Sequence, residues 1–149
     1  MEFIECDIDQ EFIEKCFKED PTHYLETYEC KSHTLAEAVS DTVYKLNGLD
    51  YDGVKSKFFK INLGTDIGFF AINIYNGITC LTSFYIRKNY RILKTEFIEK
   101  LKSEYKMFKV PIYSTNHKAI GFLNKNGGEI ESYTQLPDDL GLLIFNFKI

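Results

Sequence analysis

The chain is 149 residues long and carries a formal net charge of −4, with acidic and basic residues interspersed. That length is enough for one domain with its own core, and we predict a single domain over residues 1–149. Without a basic block or arm, the sequence argues against a dedicated nucleic-acid-binding protein. No signal-peptide pattern is visible, and no apolar run approaches the roughly 20 residues that cross a bilayer. We therefore expect an intracellular protein with no membrane partner.

Aromatic residues and cysteines indicate the character of the core. With 13 Phe, 10 Tyr and no Trp, the core is expected to be rich in Phe. The cysteines are scattered and form no Cys-x-x-Cys pair; they are Cys6, Cys16, Cys30 and Cys80. In a reducing compartment such cysteines are expected to be small buried apolar residues. The sequence predicts no metal site, because a structural zinc site needs closer pairing of its ligands.

The first third of the chain predicts one strand and two helices. Residues 3–8 alternate weakly, as in a strand, and apolar residues at helical spacing then follow Asp9, which is expected to cap that helix. Pro21 ends this unit. Residues 22–32 are compatible with either a short helix or a loop. Thr34 and Glu37 form a capping-box pattern at the start of a helix of about 13 residues, which Asn47-Gly48 is expected to stop.

The middle of the chain predicts a three-stranded antiparallel meander. Residues 57–63, 69–75 and 78–86 are apolar and rich in Phe and Ile. Asn76-Gly77 separates the last two runs, and this dipeptide is a strong hairpin signal because both turn positions need a positive φ.

The last third predicts two more helices and three more strands. One amphipathic helix is expected over residues 92–105, followed by a strand over 108–114 and a short helix over 117–126. Two final strands, 129–135 and 140–149, flank a turn at Leu136-Pro137-Asp138-Asp139. The resulting order is β-α-α-β-β-β-α-β-α-β-β. This order predicts an α+β fold, in which helices flank one mixed, mostly antiparallel sheet.

The segment from Asn116 to Gly128 resembles a segment of the Gcn5-related N-acetyltransferase (GNAT) superfamily. In that segment a strand is followed by Asn, by Ala three residues later and by Gly eleven residues later, which here are Asn116, Ala119 and Gly127. The element order resembles the same superfamily over nearly the whole chain. Within it, the chain is most similar to small phage-encoded members, some of which are virion components.

The resemblance implies acetyl-CoA as cofactor, held between splayed fourth and fifth strands. The pantetheine arm would pair with the backbone of the fourth strand, and the diphosphate would bind N–H groups at the start of the next helix. The residues carried over as cofactor-binding are Phe84, Tyr85, Ile86, Arg91, Ile92, Leu93, Lys94, Thr95 and Asn116.

Several positions depart from the superfamily pattern. The cofactor loop usually follows Arg/Gln-x-x-Gly-x-Gly/Ala, and after Arg91 the two glycine positions hold Lys94 and Glu96. Glycine suits a close backbone approach to the diphosphate, and Glu96 would place a carboxylate nearby. Lys88, Arg91 and Lys94 are either a cationic cluster for the diphosphate or solvated charges. Leu123 stands where many members have a Tyr general acid.

No catalytic base is assigned from the sequence. The predicted fourth strand, residues 78–86, contains no carboxylate. Polar groups that would line the cleft are Ser83, Tyr85, Tyr113 and Ser114, and none of these is a natural base at neutral pH. The groups that titrate near neutrality are His23, His33 and His117, for which a plain surface position is the alternative.

Two functions are consistent with these residues. The first is an N-acetyltransferase that transfers an acetyl group from acetyl-CoA to an unidentified amine on a small molecule or a protein. The second is a catalytically degenerate structural or interaction protein with the same fold, which binds protein partners in an assembly such as a phage virion. The expected location is the cytoplasm, that of a host cell if the protein is phage-encoded, or the virion. Dimerisation through the last strands is left open.

Overall fold

The computed structural model describes residues 1–21, 34–46 and 53–148. Within them the strands are β1 (Glu2–Cys6), β2 (Lys55–Asn62), β3 (Asp66–Tyr75), β4 (Ile78–Ile86), β5 (Met107–Tyr113), β6 (Glu129–Gln135) and β7 (Gly141–Lys148). The helices are α1 (Gln10–Glu19), α2 (Leu35–Leu46), α3 (Lys94–Glu104) and α4 (His117–Lys125), and a 3₁₀ helix spans Lys88–Leu93. This order confirms the predicted α+β fold.

One seven-stranded sheet is formed by the described residues, in the order β1-β2-β3-β4-β5-β7-β6. All neighbouring strands are antiparallel except β4 and β5, which run parallel. A parallel pair needs a crossover connection, and here the 3₁₀ helix and α3 supply it. None of the described helices is long and apolar enough to cross a membrane.

Local sequence signals place the first two helices. The Asp9 carboxylate accepts a hydrogen bond from the Phe12 N–H at 3.0 Å, and the Thr34 hydroxyl accepts one from the Glu37 N–H at 3.2 Å. Both contacts satisfy N–H groups that the first helical turn leaves without a partner. The alternative left open for residues 22–32 and the stop at residues 47–48 lie outside the described residues.

The hairpin between β3 and β4 turns at Asn76-Gly77, as predicted. Their φ angles are 49° and 76°, which is the left-handed region that this tight turn requires. Strand β3 begins at Asp66, three residues before the predicted start. Gly68 lies in this extra part, and its Cβ position is occupied by the backbone of Tyr85 and Ile86. Glycine therefore lets β3 lie close to the end of β4.

Alternation along the strands divides the apolar side chains between the two faces of the sheet. Phe69 and Tyr85 pack on one face against α1 and α2. Phe70 and Ile86 pack on the opposite face against α3 and α4. Because adjacent residues of a strand point to opposite faces, consecutive aromatic residues in β2 and β3 serve both cores. The expectation of a Phe-rich core is confirmed for the described residues.

The predicted helix 92–105 is two helices. The chain first forms the 3₁₀ helix Lys88–Leu93, and the α-helix begins at Lys94. Leu93 lies four residues before Phe97, so its apolar side chain matches helical spacing although its ψ of 3° is not α-helical. The pattern could not separate the two because a 3₁₀ turn buries apolar residues at nearly the same spacing.

One of the three described cysteines is buried, as expected. Cys16 is fully buried, whereas Cys6 and Cys80 are only partly buried, and none of the three is in a disulfide. Burial raises the pKa of the Cys16 thiol to about 12 and also raises the pKa of Cys80. These thiols are therefore protonated at neutral pH. Cys30 lies outside the described residues, and in the described part of the chain no group of three His, Cys, Asp or Glu side chains is arranged to hold a metal.

Candidate functional site

Strands β4 and β5 separate soon after they meet, and their separation opens a cleft. The one backbone pairing between them joins Cys80 and Lys109. Beyond that point β4 contains a bulge at Thr82, where its register against β3 shifts, and a bulge bends and twists its strand. In β5, Pro111 has no N–H to offer to a β4–β5 ladder. Both features favour divergence of the two strands.

The cleft has a volume of about 570 Å³. Its walls are residues 81–86 of β4, residues 110–113 of β5 and the first turns of α4. Arg91 and Lys94 contribute cations from the loop after β4, and Asp20 and Thr42 contribute from α1 and α2. The cleft therefore passes through the sheet, with α3 and α4 on one side and α1 and α2 on the other.

The three β4 residues carried over as cofactor-binding line the cleft. Phe84 stacks on Phe97 with ring centroids 4.4 Å apart and an interplanar angle of 3°, so its ring is partly held by α3. Tyr85 points to the opposite face, where its hydroxyl donates to the Cys16 carbonyl at 3.2 Å and burial raises its pKa. Ile86 is buried in the core on the α3 side. Tyr85 and Ile86 thus present backbone rather than side chain to the cleft.

Lys94 gives the cleft a positive charge at the start of α3. Its Nζ lies 5.9 Å from the Phe84 ring centroid and 5.8 Å from that of Phe122. Burial lowers the pKa of Lys94, and the nearby cations Arg91 and Lys118 lower it further. No carboxylate partner of Lys94 occurs among the described residues, and a cation at a helix N-terminus is unfavourable. An anion bound here would relieve both effects.

Arg91 forms an ion pair with Asp20 in the same cleft. Asp20 is the C-cap of α1, and its side chain is only 6% exposed, against 37% for Arg91. Sequence reasoning missed Asp20, because an Asp before Pro21 indicates no more than the end of a helix. A buried carboxylate requires a charged or hydrogen-bonding partner, but the sequence pattern did not show that this residue would be buried.

The remaining loop residues have different environments. Ile92 is 90% exposed, and Thr95 is also exposed. Leu93 packs against the core on the α3 side. Their side chains do not line the cleft, and neither do those of Lys88 and Glu96. The Glu96 carboxylate that the loop pattern placed near a diphosphate therefore lies outside the cleft walls.

The first turn of α4 forms the wall opposite the loop. The Asn116 side chain caps this helix by accepting a hydrogen bond from the Ala119 N–H at 3.2 Å. Asn116, His117 and Ala119 all line the cleft. Leu123, at the position where the resemblance predicted a Tyr in many members, is 3% exposed and belongs to the core, and it also contributes to the cleft wall. At the end of α4, Gly127 has a φ of 91°.

The polar candidates from the sequence separate into two groups. Ser83 and Tyr113 line the cleft, whereas the Ser114 hydroxyl accepts a hydrogen bond from the Gly141 N–H at 2.9 Å and is absent from the cleft walls. His23 and His33 lie outside the described residues. Asp20 is consequently the one carboxylate among the described residues that line the cleft.

No protein-family model and no curated protein sequence matches the chain. Solved structures do. A probable GNAT-family acetyltransferase from Chromobacterium violaceum superposes with a TM-score of 0.71 at 12% identity, covering 98% of this chain and 81% of that one. An acetyltransferase from Salmonella typhimurium that modifies the N-terminal serine of ribosomal protein L7/L12 gives 0.68 at 10% identity, covering 95% and 91%.

A third solved structure is a complex with the cofactor. The microcin C7 self-immunity acetyltransferase MccE, bound to acetyl-CoA and AMP, gives a TM-score of 0.60 at 15% identity, covering 94% of this chain and 87% of that one. At these identities the likeness establishes the fold, and the fold is that of the GNAT acetyltransferases.

Proposed function

We propose that residues 1–149 act as one GNAT-like domain that transfers an acetyl group from acetyl-CoA to an amine. The observation that carries this proposal is the open cleft between β4 and β5, with the unneutralised Lys94 at one side. A protein that kept the fold only as a scaffold would gain stability by filling such a cleft with side chains. The likeness to an acetyl-CoA complex supports the same conclusion.

The residues present fit acetyl-CoA in three respects. Beyond Cys80 the cleft edge of β4 pairs with no strand among the described residues, so its backbone groups are available to an amide-containing pantetheine arm. No side chain caps the α3 N-terminus, whose positive dipole end favours a diphosphate, although the Lys94 N–H itself donates to the Arg91 carbonyl. Lys94 adds the charge that such an anion requires. In this proposal Phe84–Ile86, Arg91, Lys94 and Asn116 hold the cofactor; the backbone of Ile92, Leu93 and Thr95 remains predicted to assist.

The chemistry that acetyl-CoA supplies is an acetyl thioester, whose carbonyl carbon is attacked by a neutral amine. Within the described residues, the hydroxyls of Ser83 and Tyr113 line the cleft. The buried Leu123 has no proton to give to a leaving thiolate. Cysteine is an unsuitable alternative, because the described thiols stay protonated. We therefore expect slow turnover in which water exchanges protons with the amine and the thiolate.

The departures Lys94, Glu96 and Leu123 favour a second candidate, a protein that binds partners through this fold without turnover. In that case a phage origin and a place in a virion, both suggested by the resemblance, remain predictions. Retention of acetyl-CoA binding without transfer would support this candidate.

Calorimetric titration with acetyl-CoA tests the proposal. We expect saturable binding and a rise in melting temperature, since a ligand that binds only the folded state stabilises it. Acetyl-pantetheine, which lacks the nucleotide and the diphosphate, is the control and should bind more weakly. A folded protein that shows no binding at millimolar acetyl-CoA would rule out the enzyme.

A further inference from the structure

Asp20 has no part in the cofactor site described above, although it lines the same cleft. We propose that Asp20 binds a cationic group of the acceptor, distinct from the neutral amine that is acetylated, and that Arg91 occupies its place until acetyl-CoA binds. This inference rests on the proposed function and names the substrate class, an acceptor that carries a positive charge. It also implies that the Asp20–Arg91 ion pair breaks when acetyl-CoA binds and that the acceptor then pairs with Asp20.

The position of Asp20 separates it from the cofactor residues. It lies at the end of α1, and Thr42 of α2 lines the cleft on the same side of the sheet. Lys94 and Phe122 line the opposite side, with α3 and α4. The two sides therefore differ in charge, since Asp20 attracts a cation and Lys94 attracts an anion. An acceptor and a cofactor that enter from opposite faces would each meet an oppositely charged group.

Burial makes the Asp20 carboxylate selective for cations. With its side chain 6% exposed, it has lost most of its water, and a buried carboxylate is stable only when charged or polar groups replace that water. A carboxylate accepts several hydrogen bonds, so it holds an ammonium group as well as a guanidinium. An acceptor with a carboxylate at the same point would be repelled.

Arg91 connects this carboxylate to the cofactor loop. It lies on the 3₁₀ helix directly before α3, three residues from Lys94, and is close enough to lower the pKa of Lys94. A diphosphate beside Lys94 attracts the Arg91 guanidinium, because phosphate oxygens and the Asp20 carboxylate compete for the same donors. As Arg91 turns to the diphosphate, its own place beside Asp20 opens to the acceptor. Cofactor and acceptor thereby favour each other's binding.

A neighbouring ion pair provides a matched control. Arg87, just before the same 3₁₀ helix, donates to both carboxylate oxygens of Glu19 at 2.8 and 2.9 Å. This pair also joins the end of α1 to the loop after β4, but neither residue lines the cleft. Removal of this ion pair tests whether any loss of the contact between α1 and the loop changes cofactor affinity, or only loss of the contact made by Asp20.

The first experiment measures acetyl-CoA affinity by calorimetry in the full chain. D20N is expected to tighten Kd about threefold or more, because Arg91 is no longer held by a carboxylate. R91Q is expected to weaken Kd about tenfold, and D20N is expected to have no effect in an R91Q background. E19Q should match the wild type. Equal or weaker binding by D20N at matched melting temperature would overturn the exchange.

The affinity of R91Q for acetyl-pantetheine keeps the test decisive if D20N folds poorly. Because acetyl-pantetheine has no diphosphate, R91Q should bind it with the same affinity as the wild type. An equal loss of affinity for acetyl-pantetheine and for acetyl-CoA would contradict the role of Arg91. If the wild type binds no acetyl-CoA at all, the proposed function fails; if it binds but the variants do not respond as stated, only this inference fails.

The second experiment compares two acceptors that differ in charge at one end. Acetyl transfer to 1,4-diaminobutane should exceed transfer to 4-aminobutanoate by about tenfold or more in kcat/KM. The preference for the diamine should be lost in D20N, because its KM for the diamine rises, and it should remain in E19Q. Equal transfer, transfer to neither amine, or a preference that survives D20N would overturn the assignment of Asp20.

Discussion

The two helix N-termini that face each other across the cleft differ in how their backbone donors are satisfied. The start of α4 is closed, since Asn116 accepts a hydrogen bond from the Ala119 N–H. The start of α3 has no side-chain cap, and its first residue is the partly buried cation Lys94. One terminus is stabilised by its own side chain, whereas the other has no capping side chain and carries a charge for which the described residues supply no carboxylate.

This difference separates stability from binding. The α4 wall is held by its cap and by Leu123 in the core. These residues therefore stabilise the protein even when no ligand is bound. The α3 wall carries the charge of Lys94, which is unfavourable in the free protein and becomes favourable when an anion binds beside it. Removing the packing or capping contacts of α4 should therefore lower stability, and removing the charge at the start of α3 should weaken binding. The first prediction below tests where the cofactor lies, and the others test one side of that contrast.

The largest expected effect is that of Ala119→Trp. Ala119 lines the cleft and is partly buried, and an indole there would occupy the space of a cofactor arm. We expect acetyl-CoA binding to be lost in calorimetry while the circular dichroism spectrum is retained. Gly121→Trp is the control, because a Cβ at this exposed position meets no atom within 4 Å. Undiminished binding by the Ala119 variant would place the cofactor elsewhere.

Leu123→Ala should have the next largest effect, and on stability rather than on chemistry, although Leu123 also contributes to the cleft wall. Leu123 is 3% exposed and packs with the core between the sheet and α3. Truncating a buried Leu costs about 2–5 kcal/mol through lost burial and the cavity that remains. Chemical denaturation should show this loss, while the rate of acetyl transfer per folded molecule stays the same. A rate that falls beyond the loss of folded protein would give Leu123 a role in the chemistry.

Most of the fold could be predicted from the sequence because its signals are local. The cap at Asp9, the capping box at Thr34 and the turn at Asn76-Gly77 each act over a few residues. The 3₁₀ helix before Lys94 escaped prediction because its spacing merges with that of α3. Boundaries such as the early start of β3 at Asp66 depend on pairing with β2 and β4, which no local pattern records.

The site was less predictable because its main properties arise from tertiary contacts. The resemblance supplied Arg91, Lys94 and Asn116, and the structure places all three at one cleft. It did not supply the burial of Lys94, the bulge at Thr82 or the Asp20 partner of Arg91. Burial and charge pairing depend on elements far apart in the chain, so residue type alone could not reveal them.

Lys94→Gln should weaken acetyl-CoA binding about tenfold, because a charge-assisted hydrogen bond to a phosphate contributes about 1.5–3 kcal/mol. The same change should raise the melting temperature. Since the pKa of Lys94 is lowered on folding, its charged form is less stable in the folded protein, and that cost is present below the folded pKa and disappears at higher pH. Differential scanning fluorimetry at pH 7 measures the gain.

Lys125→Gln is the control for this charge, because Lys125 lies in the last turn of α4 and does not line the cleft. It should leave cofactor affinity unchanged. A Lys94 variant that is destabilised and still binds normally would show that Lys94 serves the fold, and the contrast between the two helix starts would then fail.

The smallest expected effect is that of Asn116→Ala. Loss of the cap costs about 1 kcal/mol of unfolding free energy, because the Ala119 N–H loses its side-chain partner. Asn116→Ser keeps a capping oxygen but removes the amide N–H₂, and it should restore most of the stability. If Asn116 also donates to the pantetheine arm, both variants should weaken acetyl-CoA binding equally, even though only one is destabilised. Normal binding by the Ser variant would make Asn116 a cap alone, and the entire α4 start would then be structural.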